Sequence, residues 1–283
     1  MAKLLDGNAT AAQIRSEVAA EVAELKGRGV SVRLDVVLVG EDPASATYVR
    51  MKQKDCAEVG IESKAHRFPA GVSQKELATL VERLNAERAV SGFFIQLPLP
   101  SGLDPLPLIS GIDPAKDVDG LSPSSAGRLA VGLPSLLPCT PHGVVQILRR
   151  NEIDVAGKEA VVIGRSNLVG KPLAQLFLRE NATVTVCHSR TEDLAEVARR
   201  AEILVVAAGR REMVGAEHVR EGAVVVDVGI HRRDEGGLVG DVRFEEVEPK
   251  ASWITPVPGG VGPMTRAMLL FNTVRAAEDA GAG

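Results

Sequence analysis

The chain has 283 residues with 33 Lys and Arg against 37 Asp and Glu, a formal net charge of −4, so no global positive field is available to attract a nucleic-acid backbone. Aromatic residues make up 3 %, which removes the stacking platforms that single strands need, and 45 % hydrophobic beside 25 % charged residues is the mixture of a globular protein with an aliphatic core. The length suggests roughly two domains.

In the opening stretch Asp6, Arg15, Glu17 and Glu21 interrupt the apolar residues before they reach export-signal or membrane-spanning length. No membrane association is expected. Ile14, Val18, Val22 and Leu25 recur at helical spacing and predict an amphipathic helix closed by Gly27 and Gly29. A β-branched strand follows at Leu34–Val39. The turn Gly40-Glu41-Asp42-Pro43 then opens a second helix, with Asp42 as N-cap and Pro43 at the first position, and that helix carries Tyr48 and Lys52. A helix near Gln74–Glu87, a strand at Gly92–Gln96 and a proline-punctuated stretch from Leu97 to Pro114 come next. Repetition of strand, helix and strand predicts a parallel α/β fold.

The pattern pauses at Pro138-Cys139-Thr140-Pro141, where the domain change is expected, and a helix runs from His142 to about Arg150. Strands near Ala160–Ile163, Thr183–Cys187, Ile203–Val206 and Val224–Asp227, with helices between the first three, have the rhythm of a doubly wound nucleotide-binding domain. Met264, Ala267, Met268 and Phe271 mark a final helix that is expected to return to the first domain, ending in a frayed tail at Ala280–Gly283. Cys56, Cys139 and Cys187 are far apart, odd in number and without a CxxC pair, so neither a disulfide framework nor a zinc site is indicated, and a reducing cytoplasm fits best.

The strongest local signal is Gly164-Arg165-Ser166-Asn167-Leu168-Val169-Gly170 after a buried strand. A tight turn there converges backbone N–H groups and a helix N-terminus on an anion such as a pyrophosphate, although Ser166 takes the second glycine position of GxGxxG and the turn could be purely structural. The next strand ends in Cys187-His188-Ser189-Arg190, with no carboxylate to hold a free ribose 2′-hydroxyl. Arg165 and Arg190 therefore favour NADP over NAD, unless both are simply solvated.

Tyr48 and Lys52 share a helix face and could move a proton, although the bare pattern reads more readily as a shoulder tyrosine beside a solvated lysine. Gln96 stands at the C-terminal end of a buried strand, where open α/β sheets bind ligands. Asp117-Val118-Asp119-Gly120 sets two carboxylates on one side of an extended segment, compatible with a weak metal signal or with a turn held by carboxylate bonds to backbone amides. The prolines and glycines of Thr255 to Thr265 fix the chain where backbone approaches a ligand closely. Scattered histidines without HExxH spacing, and the lack of a GxSxG elbow, give no support for metal or serine hydrolase chemistry.

Taken in order, the Tyr48–Lys54 segment, Gln96–Pro100, Lys116–Gly120, Pro138–Pro141, Gly164–Gly170 and Pro256–Thr265 resemble the bifunctional methylenetetrahydrofolate dehydrogenase/methenyltetrahydrofolate cyclohydrolase family over nearly the whole chain. The resemblance implies a two-domain α/β protein. An N-terminal catalytic lobe would comprise residues 1–139 and the returning helix 264–283, a Rossmann-type NADP lobe residues 140–263, and folate would lie in the cleft between them. It also implies a homodimer acting on tetrahydrofolate one-carbon derivatives, with no metal.

By motif position Lys52 corresponds to the family's catalytic lysine, Tyr48 to its aromatic neighbour near the pterin, Gln96 to the amide beside the lysine and Asp119 to the carboxylate on the pterin's amino-pyrimidine edge. Gly164, Arg165, Ser166, Ser189 and Ile230 match cofactor-contact positions, with Arg190 beside them, and Pro258, Gly259 and Gly260 match the loop beside folate and nicotinamide. Arg266, where the family leads us to expect an aliphatic residue, is a departure that bears on packing of the last helix. A dehydrogenase with the oxidation activity alone and an inert NADP-binding sensor are the competing functions.

Overall fold

Each β-branched run read from the sequence is a strand of the computed structural model, which describes residues 1–281. The chain divides into two compact units, one made of Met1–Ala12 and Thr140–Thr265, the other of Gln13–Cys139 with the residues from Arg266 onward. The division falls inside the first helix, Gly7–Gly27, and inside the last, Val261–Gly281.

The unit built on Gln13–Cys139 has a three-stranded parallel sheet in the order Glu62–Phe68, Arg33–Val39, Gly92–Ile95. Val37, Val39, Phe93 and Ile95 of the sheet pack on Leu77, Leu80 and Leu84 of the helix Gln74–Ala86, which Ser73 and Glu76 close with a reciprocal capping box. The strand Glu62–Phe68 was not expected from its polar sequence, because it is an edge strand whose pairing with Arg33–Val39 comes from the fold. Its His66 reaches the fully buried Asp35 at 2.7 Å, and Arg33 meets the same carboxylate through two bonds of 2.8 Å. These bonds compensate a charge that would otherwise be costly inside a sheet. The stretch Leu97 to Pro114 contains a short helix, Pro105–Ser110, capped by Asp104, and a further helix spans Pro123–Ala130 behind the cap Ser122.

The other unit holds a six-stranded sheet, parallel throughout, in the order Lys3–Leu4, Trp253–Ile254, Val224–Asp227, Ile203–Val206, Glu159–Ile163, Thr183–Cys187. The sequence reading gave residues 1–139 to one domain. The division sets Met1–Ala12 apart from the rest of that range because Lys3 and Leu4 pair with Trp253 and Ile254, a two-residue strand with no periodicity to reveal it. Successive strands run outward in opposite directions from Glu159–Ile163 and Ile203–Val206, which makes the C-terminal ends of that pair the topological switch point of a Rossmann-type sheet. Val161, Ile163, Leu204, Val206 and Val225 form its core. A small antiparallel hairpin, His231–Arg232 with Leu238–Val239, follows the strand Val224–Asp227 in the chain. Of the expected frayed tail, Ala280 and Gly281 are helical and the last two residues lie outside those described. Among the described residues no helix is long and apolar enough to cross a membrane.

Candidate active site

Asp42 accepts the Ser45 amide at 2.7 Å and Pro43 occupies the first turn, so the helix Pro43–Glu58 begins where the sequence places it. One turn apart on that helix stand Tyr48, 46 % exposed, and Lys52. Lys52 Nζ donates to Gln96 Oε1 at 3.3 Å and lies 3.9 Å from the centroid of the Phe94 ring. Gln96 is itself fixed. Its backbone N–H donates to the Val37 carbonyl at 2.9 Å and its side-chain amide to the Leu97 carbonyl at 2.7 Å, which turns Oε1 toward the lysine. An ammonium has three donors and Gln96 takes one, while the ring presents its electron-rich face to the charge.

The two carboxylates of Asp117-Val118-Asp119 have different surroundings. Asp117 is buried and accepts from the Ser122 amide at 2.8 Å, the Ser125 hydroxyl at 2.7 Å and the Leu121 amide at 3.3 Å, so it anchors the start of the helix Pro123–Ala130. Asp119 is half-buried. Burial pushes its carboxyl above the usual range, the Lys52 ammonium pulls it back, Asp117 raises it, and a bond from the Cys139 thiol lowers it. The Cys139 sulfur also lies 3.3 Å from the Val118 carbonyl oxygen, and Asn272 ties that carbonyl to the one of Leu137 with two bonds of 2.8 Å. Cys139 and Phe94 carry no sequence signal of their contact with Asp119 and Lys52, which the fold alone creates. Among the described residues no group of three or more His, Cys, Asp or Glu is placed to hold a metal.

In the other unit the turn after Glu159–Ile163 runs into the helix Gly170–Arg179. Gly164 has φ of 129°, and a Cβ there would lie 2.1 Å from the Ala207 carbonyl oxygen, so only glycine lets the two switch-point strands end this close together. Ser166 Oγ accepts the Val169 amide at 3.1 Å and shapes the turn. A cavity of about 340 Å³ opens here, lined by Gly164, Arg165, Ser166, Ser189 and, unanticipated from the sequence, His188, Thr191 and Arg210. Thr191 accepts the His188 amide at 2.8 Å and bends the chain after Thr183–Cys187. Arg190 is exposed and outside that lining, with its amide on His188 Nδ1 at 3.2 Å. Ile230 is 48 % exposed and also outside it.

The loop with Pro258, Gly259 and Gly260 lies elsewhere in the same unit, against the start of the first helix. The Asn8 amide donates to the Gly259 carbonyl at 3.2 Å, and a Cβ on Gly7 would fall 1.7 Å from the Gly260 oxygen. Part of what the glycines permit is thus close packing of the protein's own backbone.

A lysine held by an amide and an aromatic face in one unit, and a glycine turn with cationic walls at the switch point of the other, define a two-domain α/β enzyme that uses a dinucleotide. Residues 5–119 match a family model described as tetrahydrofolate dehydrogenase/cyclohydrolase, catalytic domain, and residues 138–281 match one described as the NAD(P)-binding domain of the same proteins. The chain belongs to the tetrahydrofolate dehydrogenase/cyclohydrolase family.

It is 76 % identical over 278 residues to the bifunctional protein FolD 1 of Rubrobacter xylanophilus, covering 98 % of each chain. Among solved structures it is similar to the bifunctional FolD of Campylobacter jejuni, at 48 % identity, 99 % coverage of both chains and a TM-score of 0.97. It is also similar to the Trypanosoma brucei methylenetetrahydrofolate dehydrogenase-cyclohydrolase complexed with NADP and an inhibitor, at 39 % identity, 100 % and 99 % coverage and a TM-score of 0.94.

Proposed function

We propose that this enzyme oxidises 5,10-methylenetetrahydrofolate with NADP and hydrolyses the resulting 5,10-methenyltetrahydrofolate to 10-formyltetrahydrofolate, with Lys52 as the proton-transfer residue. The observation that carries the reading is the Lys52–Gln96 bond at 3.3 Å beneath the Phe94 ring, beside the half-buried Asp119. Asp119 accepts from the N–H groups of the pterin's amino-pyrimidine edge, and the exposed ring of Tyr48 stacks near the pterin. In the oxidation, the substrate's nitrogen lone pairs drive hydride from the bridging carbon, so the chain's work is alignment. In the hydrolysis, water adds to the cationic carbon and loses a proton, and the departing nitrogen gains one. Lys52 moves these protons, with Gln96 fixing where its Nζ stands.

NADP supplies the hydride acceptor when bound. The residues present fit it: the Gly164 turn has no side chain in the way, it leads into the helix Gly170–Arg179, and Arg165, Ser166 and Ser189 offer donors in the cavity. Arg190 adds charge next to Ser189, Ile230 offers an exposed apolar face to the cofactor, and Pro258, Gly259 and Gly260 form a constrained backbone beside the nicotinamide. In this reading residues 140–263 serve as the NADP domain and residues 1–139 with the returning helix from 264 as the folate domain. The enzyme works as a homodimer in the cytoplasm, where its three buried, unpaired cysteines stay reduced.

The test supplies the purified chain with methylenetetrahydrofolate and NADP, follows both steps by absorbance, and repeats them with Asp119→Ala. Loss of folate affinity or of both activities in the variant, with NADP binding intact, supports the reading. A wild-type chain that performs neither step, or a fully active Asp119→Ala variant, overturns it.

A further inference from the structure

Asp241 is a fully buried carboxylate with a specific partner on each oxygen. Oδ2 accepts the backbone N–H groups of Ala208 at 2.7 Å and Gly209 at 2.8 Å, and Oδ1 accepts from His231 Nε2 at 2.7 Å. Its own N–H donates to Oδ1 of Asp227 at 3.0 Å, and Asp227, also buried, receives the amides of Val242 and Gly229 at 2.9 Å each. The carboxylate of Asp241 therefore joins the hairpin residue His231 to the turn that follows Ile203–Val206, and its backbone ties both to the strand end at Asp227.

That turn is a wall of the dinucleotide cavity. Ala207, Ala208 and Arg210 line it opposite Gly164, Arg165 and Ser189, and the Ala207 carbonyl is the atom against which Gly164 packs. Two adjacent amides pointing to one buried oxygen hold the backbone of residues 208–209 in a single orientation, and the next residue is the exposed Arg210. Without the carboxylate both amides would lack a charged acceptor, and the turn would have to find water or move.

We propose that Asp241, oriented by His231, is a positioning residue for the cofactor: it sets the 207–210 turn and so directs Arg210 to the phosphates of NADP. The inference rests on the reading of this cavity as the dinucleotide site. Neither residue touches the reacting atoms.

Calorimetric titration with NADP tests it on the full-length chain, using Asp241→Ala, Asp241→Asn, His231→Gln, Arg210→Ala and, as a control for the cavity, Ser189→Glu. Asp241→Ala and Arg210→Ala should each raise the NADP Kd roughly tenfold, the size expected when a charge-assisted bond is lost. Asp241→Asn keeps a carbonyl oxygen for the two amides and should recover most of the affinity, while His231→Gln, which leaves both amides paired with Oδ2, should cost about threefold. KM for NADP should rise with kcat at saturation nearly unchanged, and hydrolysis of preformed methenyltetrahydrofolate, which consumes no dinucleotide, should stay within a factor of two. If Ser189→Glu weakens NADP but none of the Asp241, His231 and Arg210 variants does, the positioning role is overturned and the cavity assignment stands. If Ser189→Glu also leaves the affinity unchanged, the cavity assignment falls and takes the inference with it. Equal loss of binding and hydrolysis in Asp241→Asn would show a general structural role and overturn the proposal, and this variant remains informative if Asp241→Ala does not fold.

Discussion

Lys52 and Gln96, 44 residues apart in sequence, meet at 3.3 Å because the helix carrying the lysine follows the strand Arg33–Val39, and the amide ends the strand paired beside it. The amide is held by the Val37 and Leu97 carbonyls, so its oxygen offers the ammonium a fixed partner and not a mobile one.

Removing that ammonium should separate the two chemistries. Lys52→Gln is expected to lower hydrolysis of methenyltetrahydrofolate by about 10²–10⁴-fold, the usual worth of a positioned acid/base, and to lower hydride transfer much less. The rates are read separately with preformed methenyltetrahydrofolate and with methylenetetrahydrofolate plus NADP, circular dichroism confirming the fold. Surviving hydrolysis with collapsed hydride transfer would refute the division of labour.

Arg165→Ala should weaken NADP far more than NAD. The guanidinium is exposed at the cavity wall with Ser189, where a charge-assisted bond to a 2′-phosphate is worth roughly 1.5–3 kcal/mol once partly desolvated. Equal losses with the two dinucleotides would mean that Arg165 serves the shared pyrophosphate or the turn itself.

Arg266 meets Asp55 with Nε 2.8 Å from Oδ2 and donates from Nη2 to Oδ1 at 3.1 Å. Asp55 is buried one turn beyond Lys52, and burial raises its carboxyl while Arg266 and Arg15 lower it. Arg266→Ala leaves that carboxylate without its nearest cation and should cost about 2 kcal/mol in urea unfolding, less than for a fully buried pair because the arginine is partly exposed. An unchanged unfolding midpoint would show that the pair contributes nothing to stability.

His142, near the start of the helix Cys139–Arg150, is buried, and burial with Arg149 and Arg179 nearby pushes its imidazole down from 6.5 to about 4. The folded-state value lies below the unfolded one, so the unfolded chain takes up a proton that the folded chain refuses. Its contribution to stability is complete above pH 6.5 and falls by about 3 kcal/mol as the pH drops to 4. Compared with wild type, His142→Gln should unfold with a correspondingly shallower decline in Tm across that interval. Parallel declines would locate the acid sensitivity in other groups.

The sequence by itself determined the strands Thr183–Cys187, Ile203–Val206 and Val224–Asp227, the Asp42 cap, the glycine turn at Gly164 and the six motifs that identify the family. These are local properties: a β-branched run, a capping carboxylate and a steric requirement act within a few residues, and each leaves a readable pattern. The tertiary structure alone decided that Lys3–Leu4 joins the sheet, because a two-residue strand carries no periodicity and does so only by pairing with the distant Trp253–Ile254. It also decided that Asp117 holds Ser122 and Ser125 at the start of a helix while Asp119 stays half-buried beside Lys52, although the two sit in one motif with identical side chains. Likewise Arg210, Asp241 and His231 have no pattern among themselves, and they act on one cavity because parallel strands bring distant loops to the same end of a sheet.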